Sequence, residues 1–535
     1  MKNIYLNLRF LMLSACLIGA IHAGAQTNDS TFNGAGFTYL HDMFQFFPGG
    51  QKIQPDGKII VFGYGGLTNN GFLDGVVYRL NADGTKDLAF GTNGRIILDI
   101  DNTFDAFQGV DLQADHKIVL ALASFGRTFL VRLLPDGSYD PDFGNEGLAF
   151  VDTPQGSTET PQDIHVQADQ KIVIGGSNTL LTGHTKGYFR RFNTDGSPDM
   201  GFGTEGYVGV DFDPIQDFSL EQFVFQQDGK IVGTGPYGIG VSSGFPVVRL
   251  NTDGSFDNTF SGDGKYLKLL GSNIYTAAAY CIAVNPQGKI LVGGTGTKVN
   301  ALAMSVLQLR PDGTLDATFG TFGVGGFALT IFNVVNSMAI QPDGKIILGG
   351  YSQVSDTATV CLYARLKANG AQDPTFGAPN GYLATYISTD GYDVDVVTGI
   401  NLQPDGKLVS TCWSNYSIYD SPTPLPSYAT VFRFKTDIVV ASTEPNPVFR
   451  SAAVFPNPVK DELITLQYQL EDARELSLKL YDANGREVSS LIDREMRGAG
   501  VQQEQFYLPV SLPAGNYFLE LATDDGRKAL QIVKY

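Results

Sequence analysis

The sequence predicts an all-β chain. The expected architecture is a seven-bladed β-propeller of four-stranded blades, its last blade closed by an N-terminal strand, followed by a small C-terminal β-sandwich. Three observations predict it. A pattern Arg-x-x-x-Asp-Gly-x-x-Asp-x-x-Phe recurs at intervals of under sixty residues, complete or nearly so six times between Arg79 and Phe376. A second phrase precedes each copy, as in QPDGKII at Gln54–Ile60 and Gln341–Ile347, and its seven occurrences place lysines at 58, 117, 171, 230, 289, 345 and 407. The seventh unit is split between the two ends of the repeat region. Self-similarity at this period marks a propeller or solenoid, because one such unit cannot bury its own apolar face without neighbours.

Within a unit, apolar and polar residues alternate with period two between Gly and Asp punctuation, so the unit reads as strands. In the second unit these are roughly Gly109 to Gln113, Lys117 to Ala123, Thr128 to Leu134 and Gly147 to Asp152. An Asp-Gly-Lys turn joins the first two strands in most units, where Gly supplies positive φ with little strain. Units two and three carry Asp115-His116 and Asp169-Gln170 instead, which predicts a different or slightly strained turn.

The seventh unit stops at Phe432-Arg433-Phe434-Lys435-Thr436-Asp437, without its Asp-x-x-Phe segment or last strand. That piece stands at the other end of the chain, in Asp29-Ser30-Thr31-Phe32-Asn33-Gly34-Ala35-Gly36, which has the spacing of Asp257 to Gly264. A closed ring uses such a split, since an N-terminal strand completing the last blade removes an open edge. A superhelical solenoid is the alternative, and it would require capping units that the sequence does not contain. The repeats resemble the delta-60 repeat family through their LxxDGxxDxxFGxxG and QPDGKIIxGG phrases, over about three quarters of the chain. The resemblance supports the ring and implies no catalytic residue set.

The opening Met1 to Ala25 has Lys2 and Arg9 before an apolar stretch from Phe10 to Ile21, then Ala23-Gly24-Ala25, a signal peptide with cleavage expected before Gln26. Leu13-Ser14-Ala15-Cys16 also fits a lipobox, but the apolar run continues past the cysteine. No other segment approaches the ~18 apolar residues of a membrane-spanning helix. Beyond the leader three cysteines remain, Cys281, Cys361 and Cys412, too few and too scattered for a disulfide framework, and buried free thiols are expected. The formal charge is −18, which argues against nucleic acid and anionic lipid as partners. The chain is read as neither an integral membrane protein nor an obligate oligomer, and a monomer is expected.

Residues 438–453 lose the repeat and read as a linker through Ser442-Thr443-Glu444-Pro445-Asn446-Pro447. Residues 454–535 then read as a small antiparallel sandwich with strands at 463–470, 475–482, 487–492, 503–510, 516–522 and 529–534. This tail resembles the type A C-terminal sorting domain of the type IX secretion system of Bacteroidota. The resemblance is carried by Phe455-Pro456-Asn457-Pro458, Leu480 to Gly485, Leu512 to Tyr517 and the terminal strand Lys528 to Lys534. It implies export by signal peptide, recognition of the folded tail by the type IX machinery, and a sorting role for Pro456, Asn457, Pro458, Gly485, Gly515, Tyr517 and Lys534. On that reading residues 26–437 are the cargo.

The recurring charges read as structure, because an enzyme needs one asymmetric site while a structural rule needs one copy per blade. Arg79, Arg132, Arg191, Arg249, Arg365 and Arg433, with Gln308 the exception, precede Asp87, Asp140, Asp199, Asp257, Asp316 and Asp373 and then Phe90, Phe143, Phe202, Phe260, Phe319 and Phe376. An Arg to Asp contact pinning the third-to-fourth strand loop is expected, with Phe filling the gap between blades. No catalytic, cofactor or metal residue is assigned. Asn251-x-Asp253-Gly254-Ser255-x-Asp257 superficially follows a calcium loop, but its glycine is misplaced and Asx turns account for the same residues. His41, His116, His165 and His184 show no zinc spacing, and no nucleophile elbow, phosphate loop or dinucleotide fingerprint occurs.

A binding role is expected on the face that gathers the loops between strands two and three and those leading into the next blade. These loops vary most and hold aromatics among Asp and Asn. The candidate residues are Phe104, Phe107, Asp213, Phe218, Tyr392, Trp413, Tyr416 and Tyr419. The expected function is a secreted, non-enzymatic binder of a glycan or protein. The alternatives are a polysaccharide hydrolase or lyase using carboxylates on that face, and a structural surface component.

Overall fold

The computed structural model describes residues 28–436 and 449–534, apart from 69–71, 153–156, 271–275, 299–300, 331, 356–357, 386, 388–393, 416–426, 456–458, 460–462, 471, 483–486, 510–511, 514 and 524–525. The leader, Cys16 and residues 438–448 lie outside the described residues. Propeller and tail form two compact units.

Seven four-stranded blades follow one another around the propeller. The first comprises Gln45–Ile53, Ile59–Gly66, Asp74–Leu80 and Arg95–Leu98. The second comprises Asp105–Leu112, Ile118–Ser124, Arg127–Leu133 and Leu148–Val151, within a few residues of the sequence reading. The seventh takes Val394–Leu402, Leu408–Asn415 and Ser427–Phe434 from the end of the ring and Phe37–Leu40 from its start, paired antiparallel as Phe37↔Phe432 to Leu40↔Ala429. The predicted closure by the N-terminal segment is present, and the split unit is made whole.

One side-chain arrangement recurs at nearly every blade boundary. The guanidinium Nε of Arg79, Arg132, Arg191, Arg249, Arg365 and Arg433 donates to Asp87, Asp140, Asp199, Asp257, Asp373 and Asp29 at 2.6–2.8 Å. Its flat face lies 4.4–5.0 Å from the ring centre of the Phe three residues beyond that Asp. Its Nη1 then crosses to the next blade, from Arg79 to the Pro135 carbonyl, Arg132 to Thr194, Arg191 to Thr252, Arg249 to Pro311, and Arg433 to Ala82. The last of these joins blade seven to blade one. The Phe itself presses on the Asp-Gly turn of the following blade, where a Cβ on Gly137, Gly196 or Gly254 would come within 3.0 Å of Phe90, Phe143 or Phe202. The planar, permanently charged fork of Arg serves all three contacts at once, which Lys could not.

The lysines of the second phrase have a role that the repeat pattern did not disclose. Lys58, Lys171, Lys230 and Lys289 bring Nζ within 2.7–2.9 Å of the same Asp that the Arg holds, or of Asp316 in blade five. There Gln308 replaces Arg, and Lys289 carries the contact.

The paired glycines of the second strand follow from a bulge in the first. Register shifts interrupt the first strand at Pro48/Gly50, Phe107/Gly109, Pro161/Asp163, Ala279/Cys281 and Val335/Ser337, bending it tightly. Opposite the bulge a Cβ on Gly350 would meet the Val334 carbonyl at 1.9 Å, and one residue earlier a Cβ on Gly349 would meet Ile400 of the next blade at 2.8 Å. The Asp115-His116 and Asp169-Gln170 turns keep the same form as the Asp-Gly turns, with His116 and Gln170 at φ 67° and 69°. The strain expected there is present; a different turn is not.

First strands also bond to one another around the centre. Lys52 pairs with Asp111 at 2.7 Å, Asp111 accepts from Val166 N at 2.8 Å, Asp163 from Phe223 N at 3.1 Å and Gln222 from Ile282 N at 2.7 Å. Ser337 accepts from Ile400 N at 3.1 Å, and Asn401 Nδ2 donates to Gln51 O at 3.1 Å, returning to blade one. Burial alone would lower the pKa of His165, but Asp163 and Asp111 beside it outweigh that and push it up to about 10. Cys281, Cys361 and Cys412 are buried free thiols, as expected.

The tail is a sandwich of two sheets, with strand order Phe449–Phe455, Leu463–Leu470, Gly500–Tyr507 in one and Glu487–Arg497, Arg474–Asp482, Gly515–Thr523, Gly526–Lys534 in the other. Ile464, Leu466 and Tyr468 of the first meet Leu478, Leu519 and Ile532 of the second in one core. Phe449–Phe455 is a strand paired to Leu463–Leu470, so the tail begins within the stretch read as linker. Among the described residues no helix is long and apolar enough to cross a membrane.

Phe143 is fully buried against Arg132 and Gly196. Replacing it with Ala should cost about 3–5 kcal/mol in urea unfolding; a cost below ~1 kcal/mol would contradict the packing role. Asp87, Asp140, Asp199, Asp257, Asp316 and Asp373 all titrate below the usual carboxylate range. At Asp316 the Lys289 bond is the largest cause and pulls the value down to about 2. The unfolded chain therefore binds protons first on acidification. Stability should hold above about pH 4.5 and fall steadily from about pH 4 toward pH 2, read as the urea midpoint against pH.

Candidate functional site

Because strands alternate in direction, loops between strands one and two and between three and four emerge on one face. That face carries the Arg, Asp and Lys contacts. The loops between strands two and three, and those entering the next blade, emerge on the other. The repeated Arg, Asp and Lys contacts are thus committed to structure, and the candidate residues Phe104 and Trp413 stand on the variable face.

On that face four aromatic rings line up across three blades. Trp413, at the end of the second strand of blade seven, lies 5.8 Å from Phe47 in the first strand of blade one. Phe47 stacks on Tyr64 at 4.9 Å and 17°, and Tyr64 meets Phe104 edge-on at 5.1 Å. Phe104 is 42 % exposed, and the other three are half-buried. Burial raises the Tyr64 pKa, so the phenol stays neutral. Phe104 and Trp413 were candidates from sequence; Phe47 was missed, and its aromatic-Pro-Gly setting inside a strand gave little signal.

Two candidates are corrected. Phe107 is 2 % exposed and Phe218 fully buried. The bulge after Phe107 turns its ring into the gap between blades, where a Cβ on Gly75 would meet it at 2.9 Å. Phe218 bonds Thr185 O through its backbone and packs on Phe212, with ring centres 4.9 Å apart. Neither can touch a ligand. Asp213 is half-exposed, and its Oδ1 caps Ile215 N at 2.7 Å, which makes it a loop-shaping residue. Tyr392, Tyr416 and Tyr419 lie outside the described residues.

Beside Phe104 stand three carboxylates. Asp74, Asp99 and Asp105 each place an oxygen within 4.8 Å of the others. Burial, then the charges of Asp99 and Asp105, push the Asp74 pKa up to about 6. The segment that superficially followed a calcium loop is an Asx turn, in which Asp253 Oδ1 accepts from Ser255 N at 2.9 Å and Ser255 Oγ at 2.7 Å. A cleft of 630 Å³ opens on the opposite face between blades three and four, lined by Gly203, Thr204, Tyr207 and Asp253 among others. It gathers no cluster of ionisable groups.

In the tail, Gly515 pairs with Lys534, Lys534 bridges Val459, and Tyr517 Oη donates to Pro513 O at 2.8 Å. Three of the sorting-motif residues therefore meet at one end of one sheet, beside the chain that follows Pro458. Pro456, Asn457, Pro458 and Gly485 lie outside the described residues.

Comparison with known proteins agrees with this architecture. The family described as "Domain of unknown function (DUF5122) beta-propeller" matches residues 54–90, 113–143, 167–202, 226–260, 286–319 and 341–376. The split seventh unit, whose Arg433 and Asp29 stand 404 residues apart, is not among them. The "Secretion system C-terminal sorting domain" family matches residues 453–535. No curated protein matched the chain. Among solved structures, a protein of unknown function from Dyadobacter fermentans is similar at 11 % identity and TM-score 0.37, over 75 % of this chain and 100 % of that one. The polysaccharide lyase Uly1 matches at 10 % identity and TM-score 0.32, over 88 % and 99 %. Trypanosoma rangeli sialidase in complex with sialic acid matches at 10 % and TM-score 0.35, over 93 % and 88 %. The tail directs the chain to the cell surface or the extracellular space through the type IX machinery. The chain carries a DUF5122 β-propeller repeat domain, of delta-60 type, joined to a type IX C-terminal sorting domain.

Proposed function

We propose that the propeller binds a neutral glycan on its variable face and does no chemistry on it. The observation that carries the reading is the run of rings Trp413, Phe47, Tyr64 and Phe104, in contact steps of 5.8, 4.9 and 5.1 Å across three blades. Sugars lay their C–H faces on such rings while nearby carboxylates and amides take their hydroxyls. The chain's −18 charge disfavours a polyanionic ligand. A second reading, a protein partner, is favoured by Leu67, Phe72, Phe125, Leu181 and Ile239, which stand 57–88 % exposed at the second-to-third strand loops of four successive blades.

Calorimetric titration with neutral surface polysaccharides tests this. One of them should bind, and Trp413→Ala or Phe104→Ala should each weaken it by about 1 kcal/mol, roughly fivefold. Binding indifferent to both substitutions, or no binding by any glycan at millimolar concentration, would sink the glycan reading. Capture of a protein, lost in Phe125→Ala or Leu181→Ala, would establish the second.

A further inference from the structure

We infer that Asp74, Asp99 and Asp105 form a site for a divalent cation of the calcium class. Each brings one oxygen within 4.8 Å of the others, and among the described residues none of the three makes an ion pair. Hard all-oxygen donors of this kind select calcium over softer metals. Asp99 is exposed, so water can complete the coordination.

The second observation is internal to the ring. Asp105 opens the first strand of blade two, and Asn333 opens the first strand of blade six. Both cap the loop before them, Asp105 Oδ2 accepting from Ile100 N at 2.6 Å and Asn333 Oδ1 from Leu329 N at 3.2 Å. The other polar atom of Asn333 is a donor, and it gives hydrogen bonds of 2.8 Å to Leu302 O and to Thr330 O. In Asp105 that second atom is Oδ1, an acceptor. Asp105 is fully buried, and its Oδ1 takes no hydrogen bond of ordinary length; of the two hydroxyls beside the carboxylate, Thr103 Oγ1 donates to Ile100 O at 2.8 Å and lies 3.2 Å from Ser124 Oγ, which leaves the Ser124 proton to Thr103. A buried carboxylate oxygen left without donor or cation is costly, and at Asn333 the corresponding atom is a donor. A cation held by Asp105, with Asp74 and Asp99 as its other ligands, supplies the missing positive partner and relieves the repulsion among three acids.

This site does not depend on the glycan reading, and calcium chloride alone is the probe. With the purified chelator-treated chain, calorimetry should give a single site with Kd about 10⁻⁴–10⁻³ M and a raised melting temperature. Asp99→Asn and Asp74→Asn should weaken binding by at least about tenfold. Asp105→Asn, which copies the arrangement at Asn333, should fold with a melting temperature no lower than the calcium-free parent and show no calcium response. No response of the parent chain up to about 10 mM calcium would overturn the inference, as would a response unchanged by Asp74→Asn and Asp99→Asn.

Discussion

The contact of one arginine with a carboxylate, a phenyl ring and the carbonyl of the next blade is what the propeller depends on. A four-stranded blade has two apolar faces, and neither is covered until a neighbour arrives. Packing alone would let blades slide, because aliphatic contacts are not directional. The Arg fork converts that contact into a fixed rotation from blade to blade, since its hydrogen bonds and its ring contact must be met together. Repeated with the same geometry, a fixed rotation brings the last blade against the first. The Arg433 bonds to Asp29 at 2.8 Å and to Ala82 O at 2.7 Å are the place where the ring either closes or does not.

The same arrangement divides labour between the two faces. The Asp that closes each repeat is bound by Arg, by Lys or by both, the Asp of each Asp-Gly pair is held within its own turn, as Asp253 is by Ser255, and Lys289 with Gln308 preserves the scheme where Arg is missing. The loops of the other face carry no repeat obligation, and there the aromatic run and the three acids of blades one and two stand side by side, joined through the neighbours Phe104 and Asp105.

What sequence disclosed was whatever the repeat enforced. Blade number, strand order, the split seventh unit, the buried Phe90 and its counterparts and the Arg to Asp contact all follow from identical residues at identical spacing. The lysine contact was hidden, because period tells where a residue recurs and not what it touches. Phe107 and Phe218 looked like surface aromatics because they adjoin variable loops, but a one-residue bulge and a loop that folds back turned both inward. Asp74 and Asp105 open the third strand of one blade and the first of the next, and Asp99 follows the fourth strand between them, a meeting that no local pattern announces. In the tail, Phe449–Phe455 was lost to the proline-rich run before it.

The central claim is that the N-terminal segment is an integral strand of the ring. Hydrogen exchange resolved to Phe37–Leu40 and to the partner segment Ala429–Phe432 tests it most directly. The bonded amides of both segments should exchange only through global opening, as slowly as the interior strand Ile118–Ser124. Exchange of Phe37–Leu40 within seconds, while Ile118–Ser124 stays protected, would contradict it and leave an open ring with a free edge.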